Sequence, residues 1–103
     1  MRKTSDALEI LDRLTGRNKR LRQRIEEATL NARVAEMIYE ARTKAGLSQQ
    51  ALADLIGTKQ SVIARLEDAD YEGHSLSMLA RIAAALHFEL DVRFLPPKRR
   101  TAA

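Results

Sequence analysis

No proline interrupts this chain before Pro96. Proline is the residue a helix interior tolerates least, because its ring locks φ, removes a backbone donor and clashes with the preceding turn. A stretch of that length without one, rich in alanine, leucine, glutamate and arginine, favours helix almost throughout. The expected fold class is all-α, with helices ended by glycines and started by caps.

Thr4, Ser5 and Asp6 offer an N-cap, and Leu8, Leu11 and Leu14 follow at helical spacing. Gly16 ends that first short helix. Leu21, Ile25, Ala28, Ala32, Ala35, Ile38, Ala41 and Ala45 then keep steps of three or four, which predicts a long helix over about Asn18–Ala45, stopped by Gly46. Thr29 and Asn31 are weaker helix formers and leave a break there open. Ser48 caps a short helix that runs to Ile56 and ends at Gly57. Thr58 caps another, reaching about Asp68. An irregular loop spans Asp68–His74, and Ser75 caps a further helix through Leu79, Ile82 and Leu86.

At His87–Leu95 the period changes from helical to two. Phe88, Leu90, Val92 and Phe94 alternate with Glu89, Asp91 and Arg93, which predicts a half-buried strand closed by Pro96–Pro97. It is the only strand legible in the sequence, and a lone strand leaves both edges unpaired. A two-fold axis pairing Phe88–Leu95 antiparallel with its own copy satisfies it, so a homodimer is expected, with Phe88, Leu90, Val92 and Phe94 as its contacts. A strand lying alone on the helices, or added to a partner's sheet, stays open as an alternative. The chain divides into an N-terminal helical extension (1–33), a central domain (34–86), a dimerisation strand (87–95) and a disordered basic tail (96–103).

The net charge of +4 suits a polyanionic partner, but it is unevenly placed. Residues 1–33 carry nine Lys or Arg against five acids, whereas residues 34–95 carry six against nine. Lys98, Arg99 and Arg100 make the tail basic. Charge alone therefore does not make the middle of the chain a nucleic-acid binder. Without cysteine there are no disulfides and no thiolate metal sites, which fits a cytoplasmic location. No segment has the apolar length of a membrane helix or a signal peptide. His74 and His87 are isolated and offer no metal site. No paired carboxylates, activated nucleophile or glycine-rich phosphate loop points to an enzyme or a cofactor. Four aromatics, Tyr39, Tyr71, Phe88 and Phe94, are too few for a single-strand stacking platform.

The function lies in Ser48–Glu67. Two short helices meeting at a steep angle need a tight turn between them. Leu52 and Ile56 give the first its core face, Ala53 is small enough to let the second approach, and Gly57 supplies the positive φ of the turn. Val62, Ile63 and Leu66 give the second its core face. Lys59, Gln60, Ser61, Ala64 and Arg65 are left outward, and the polar ones have the length and chemistry to reach base edges in a major groove.

This segment resembles the helix-turn-helix of the lambda and 434 repressor class, the XRE family, through Ser48, Gln49, Leu52, Ala53, Gly57, Ile63, Leu66 and Glu67 in register. The likeness covers about Ala35–Leu86. It implies a lambda-repressor-like bundle that binds double-stranded DNA at a near-palindromic operator, with a recognition helix at about Lys59–Glu67. By resemblance, Gln49 would bind a phosphate or the outermost base, Gln60 and Ser61 would be the main base readers, and Lys59 would touch backbone or base. Arg65 would make a bidentate contact to guanine, and the helix start behind Thr58 would hold a phosphate. Arg42 and Glu67 match a partly buried ion pair of the family. The sequence departs from the family in its loop after the recognition helix, where Asp68, Asp70 and Glu72 would repel phosphate.

The overall plan, with an N-terminal extension, a central motif and a terminal strand, resembles HigA-type antitoxins, which neutralise HigB or RelE-type mRNA-cleaving toxins and repress their own operon. The resemblance implies a small ribonuclease toxin as partner. The basic run Arg17–Arg24, with five positive charges in eight residues, reads either as a surface for an acidic partner or DNA backbone, or as a solvated helix face. A free-standing XRE-family regulator with no toxin is the alternative.

Overall fold

The computed structural model describes residues 2–97, with side chains described from Ala7 onward. Thr4, Ser5 and Asp6 do not cap the first helix: it already starts at Arg2, so all three lie inside it, where the strong helix formers that follow extend the helix backwards past them. Their side chains and the tail Lys98–Ala103 lie outside the described residues, and with the tail the expected basic end. The described residues form four helices, α1 (Arg2–Lys44), α2 (Gln49–Ile56), α3 (Gln60–Leu66) and α4 (Leu76–Ala85). None is long and apolar enough to cross a membrane.

Helix α1 corrects the sequence reading at its start. Gly16 does not end a first helix, and no break occurs at Thr29–Asn31. A lone glycine in a helix costs only about 1 kcal/mol against alanine, and strong helix formers flank it on both sides. Thr15 and Thr29 turn their hydroxyls back along the helix, donating to the carbonyls of Leu11 at 2.8 Å and Ile25 at 2.7 Å, so neither competes for the backbone ahead. Gly46 is the stop, at φ 73°.

The core begins only at the C-terminal third of α1. Ile38 from α1 packs with Leu52, Ala53 and Ile56 of α2, Ile63 and Leu66 of α3, Ile82 of α4 and Leu86 at its end, and Ala35 on α1 is buried as well. Leu52, Ala53 and Ile63 are fully buried, which confirms the close α2–α3 approach expected from Ala53. From Ala7 to Leu30, α1 is exposed along nearly its whole length. The radius of gyration is 20.3 Å, against about 13 Å for a compact chain of about this length, because α1 projects along the 69 Å long axis.

Ser75 caps α4, its hydroxyl accepting from the Met78 amide at 3.1 Å. The helix closes through His87, whose φ of 63° is left-handed, while the Phe88 amide donates back to the Ala83 carbonyl at 2.8 Å. Beyond it, residues 88–97 run without helix. There is no strand among the described residues, and the expected antiparallel pairing would require a second copy of the chain.

Candidate nucleic-acid interface

The motif is assembled from its caps inward. The Ser48 hydroxyl accepts from the Ala51 amide at 3.0 Å and starts α2 as the sequence predicts. Gly57 ends α2 at φ 73°, a left-handed backbone that an L side chain rarely adopts. A Cβ at Gly57 would meet nothing within 4 Å, so the requirement for glycine is conformational rather than steric.

Thr58 does not cap α3. Its amide donates to the Ala53 carbonyl at 2.9 Å, which places it in the turn that closes α2, and α3 starts at Gln60 with Lys59 in the cap position and no side-chain cap bond. From α4, the Arg81 guanidinium donates to the Ile56 carbonyl, satisfying a last-turn carbonyl of α2 that has no partner within the helix.

The structure brings most of the expected readers together. Lys59 at the cap and Gln60, Ser61 and Arg65 on α3 are all exposed, while Ile63 and Leu66 on the helix's other side are buried. No salt bridge ties Arg65 to Asp68 among the described residues.

Behind this face lies a polar relay. Arg42, buried near the end of α1, holds Glu67 in a two-pronged pair, Nε to Oε2 at 2.6 Å and Nη2 to Oε1 at 2.8 Å. Its remaining nitrogen donates to the Leu47 carbonyl at 2.8 Å, and its guanidinium lies 5.3 Å from the Tyr39 ring centroid. Hydrogen bonding to Glu67 raises the Arg42 pKa above its ordinary value, against the opposing effect of burial. Glu67 Oε1 also accepts from the Gln49 amide at 3.1 Å, and Gln49 Oε1 accepts from the Gln60 amide at 2.6 Å. With one of its N–H groups taken by Gln49, Gln60 keeps a carbonyl oxygen and a second N–H for another partner. That pair of groups matches the acceptor and donor an adenine edge presents in the major groove.

The expected pairing of Arg42 with Glu67 is thus present. The continuation through Gln49 to Gln60 escaped sequence reasoning, which treated Gln49 as an independent contact. Periodicity assigns each residue to a face of its own helix and does not report which side chains meet across a turn.

His74 was likewise missed. Its Nε2 lies 2.7 Å from the Leu66 carbonyl at the end of α3, and Tyr71 packs edge-on against its ring at a centroid distance of 5.0 Å. Bound there, it ties the acidic loop to the end of α3. Asp68, Asp70 and Glu72 in that loop are exposed, as their sequence implies.

The helix-turn-helix family model matches residues 38–92, which include all of α2, α3 and α4. The chain belongs to the helix-turn-helix family. Within it the match is to the XRE type, whose domains bind DNA and regulate transcription. No curated protein matches the chain significantly.

In this helix-turn-helix protein the expected dimer contacts lie just past α4. Phe88 and Val92 are half-exposed or more, Leu90 is partly buried, and Phe94 is fully exposed. Beside them an apolar groove runs between the end of α1 and α4, with Ile38, Ala41, Leu79 and Leu86 in its wall.

Proposed function

We propose that this chain is a sequence-specific repressor that binds a near-palindromic operator as a homodimer, with α3 in the major groove and Gln60, Ser61 and Arg65 as its base readers. Gln49, Thr58 and Lys59 flank them as backbone or outer-base contacts. The observation that carries the reading is the outward row Lys59, Gln60, Ser61 and Arg65, with Gln60 steadied through Gln49 by the buried Arg42–Glu67 pair. Readers held in place before binding lose less conformational freedom on the DNA. The exposed Phe88, Val92 and Phe94 support the dimer, since an apolar row of that kind in a small protein marks a contact surface. Pairing Phe88–Leu95 across a two-fold axis would set two recognition helices about one helical turn apart, ~34 Å.

Selection of bound sequences from a randomised duplex pool tests this directly. Two inverted half-sites about ten base pairs apart, centre to centre, are expected. Recovery of no common sequence would overturn the reading.

The projecting α1 supports the second half of the proposal, that the chain is also an antitoxin whose partner is a small mRNA-cleaving ribonuclease. A repressor needs no exposed helix of this length to reach its operator. Co-expression with the neighbouring genes should restore growth arrested by such a ribonuclease and should yield a stable complex. A neighbour with no ribonuclease activity, or activity unchanged by this chain, would leave a free-standing transcription regulator.

A further inference from the structure

The exposed part of α1 carries a pattern that its own fold does not use. Because the helix is continuous, its sequence can be read in heptads without a phase break. Leu11, Asn18 and Ile25 fall at a positions, and Leu14 and Leu21 at d positions. The four apolar ones stand roughly half-exposed, from 45% for Leu14 to 57% for Leu11. They form a seam of coiled-coil spacing that no other described residue covers.

The flanks decide what can cover that seam. In a coiled coil the e and g positions border the a/d seam and set partner choice. From Thr15 to Asn31 the only charged residues at those positions are Arg17, Arg22 and Arg24, all of one sign. The arm's described acids, Glu9, Asp12, Glu26 and Glu27, all fall at b, c or f on the outer face, where Glu9 pairs with Arg13 at 3.9 Å.

A second copy is a poor fit to such flanks. Parallel pairing sets Arg17 beside Arg22 of the copy, on both sides of the seam. Antiparallel pairing with Leu14 opposite Ile25 sets Arg17 beside Arg24, again twice. Like charges at these positions oppose association. Asn18 adds selectivity, since a single polar a residue specifies register and strand number at some cost in stability.

We infer that the α1 arm is a docking rail for a helical protein segment with an apolar a/d ridge and acidic flanks, bound side by side in a two-stranded coiled coil. This rests on the arm being a partner surface but not on the partner being a ribonuclease.

The probe is a fluorescein-labelled synthetic peptide of about four heptads with Leu at a and d and Glu at e and g, which its own charges keep from self-pairing. Its counterpart carries Lys at e and g. Fluorescence anisotropy with the full-length chain should show one-to-one binding of the Glu-flanked peptide, at least about tenfold tighter than the Lys-flanked one. The preference should shrink as salt is raised from about 50 to 500 mM, because exposed charges are screened. The triple variant Arg17→Glu/Arg22→Glu/Arg24→Glu, which keeps good helix formers, should reverse the preference. Circular dichroism would confirm that the arm helix persists.

Equal binding of both peptides, or of neither, overturns the inference. So does self-association of the full chain lost in Leu21→Ser, which would make a second copy the occupant. Binding of a non-specific duplex that falls with the triple variant would make the arm a DNA surface and overturn it too. Ribonuclease neutralisation is read by mRNA cleavage, so failure of the antitoxin reading and failure of this inference are separately visible.

Discussion

Replacing Arg42 by methionine tests whether the buried relay positions the recognition helix or merely accompanies it. The side chains of Arg42 and Glu67 are 10% and 5% exposed, so the substitution strands a carboxylate that water barely reaches. Removing one partner of such a pair typically costs about 3–5 kcal/mol, mostly the penalty of the abandoned charge. Small domains have only about 5–15 kcal/mol in total. At about 4–8 °C per kcal/mol for a domain of this size, Arg42→Met should lower the melting temperature by at least about 12 °C, read by circular dichroism at 222 nm. The double variant Arg42→Met/Glu67→Leu removes both charges and should recover most of that loss, since apolar replacement of a whole buried pair is often neutral or better. The double variant also deprives the Gln49 amide of its acceptor, so Gln60 loses its anchor. Base preference at the position Gln60 is proposed to read should then relax by roughly 1 kcal/mol, the net value of one hydrogen bond, while the fold stands. A single substitution costing under about 1 kcal/mol, or a double as unstable as the sum of the singles, would refute the assignment of a desolvated pair.

Arg65→Ala should weaken operator binding by roughly 1–3 kcal/mol and relax preference at one base pair, measured by mobility shift on single-substituted duplexes. Uniform weakening on every sequence would make Arg65 a backbone contact. Removing Phe88–Ala103 should give a monomer by sedimentation that binds a half-site weakly; an unchanged mass would end the strand-pairing reading. Leu52→Ala, at a fully buried site, should cost about 2–5 kcal/mol in thermal or urea unfolding. His87→Gly should be neutral or stabilising by up to about 1 kcal/mol, because the left-handed φ of 63° is strained for histidine and free for glycine.

Much of the motif is legible in the sequence because its signals are local. Ser48, Gly57, Gly46 and Ser75 each act within one turn, and a cap or a left-handed glycine needs no distant partner to be recognised. The buried face of α3, Ile63 and Leu66, follows from spacing alone. Gly16 misleads for the same reason. It is a stop signal when read locally, yet the residues on both sides favour helix strongly enough to run through it. Thr58 looks like a cap by residue type, but its amide is already committed to Ala53. The bonds from Gln49 to Glu67, from Arg81 to Ile56 and from His74 to Leu66 join residues brought close only by the packing of α2, α3 and α4. No periodicity encodes them.

The unbroken run of α1 gives the molecule leverage. Its last turns carry Ile38 into the core and Arg42 onto Glu67 at the end of α3, so the helix axis is fixed to the reading head. From Arg42 back to the start of the helix is about 60 Å at 1.5 Å per residue. A tilt of about 5° in how the head seats on a duplex therefore swings the far tip through about 5 Å. Small differences between operators become large displacements at the tip, and a label placed there would work as a pointer on a dial.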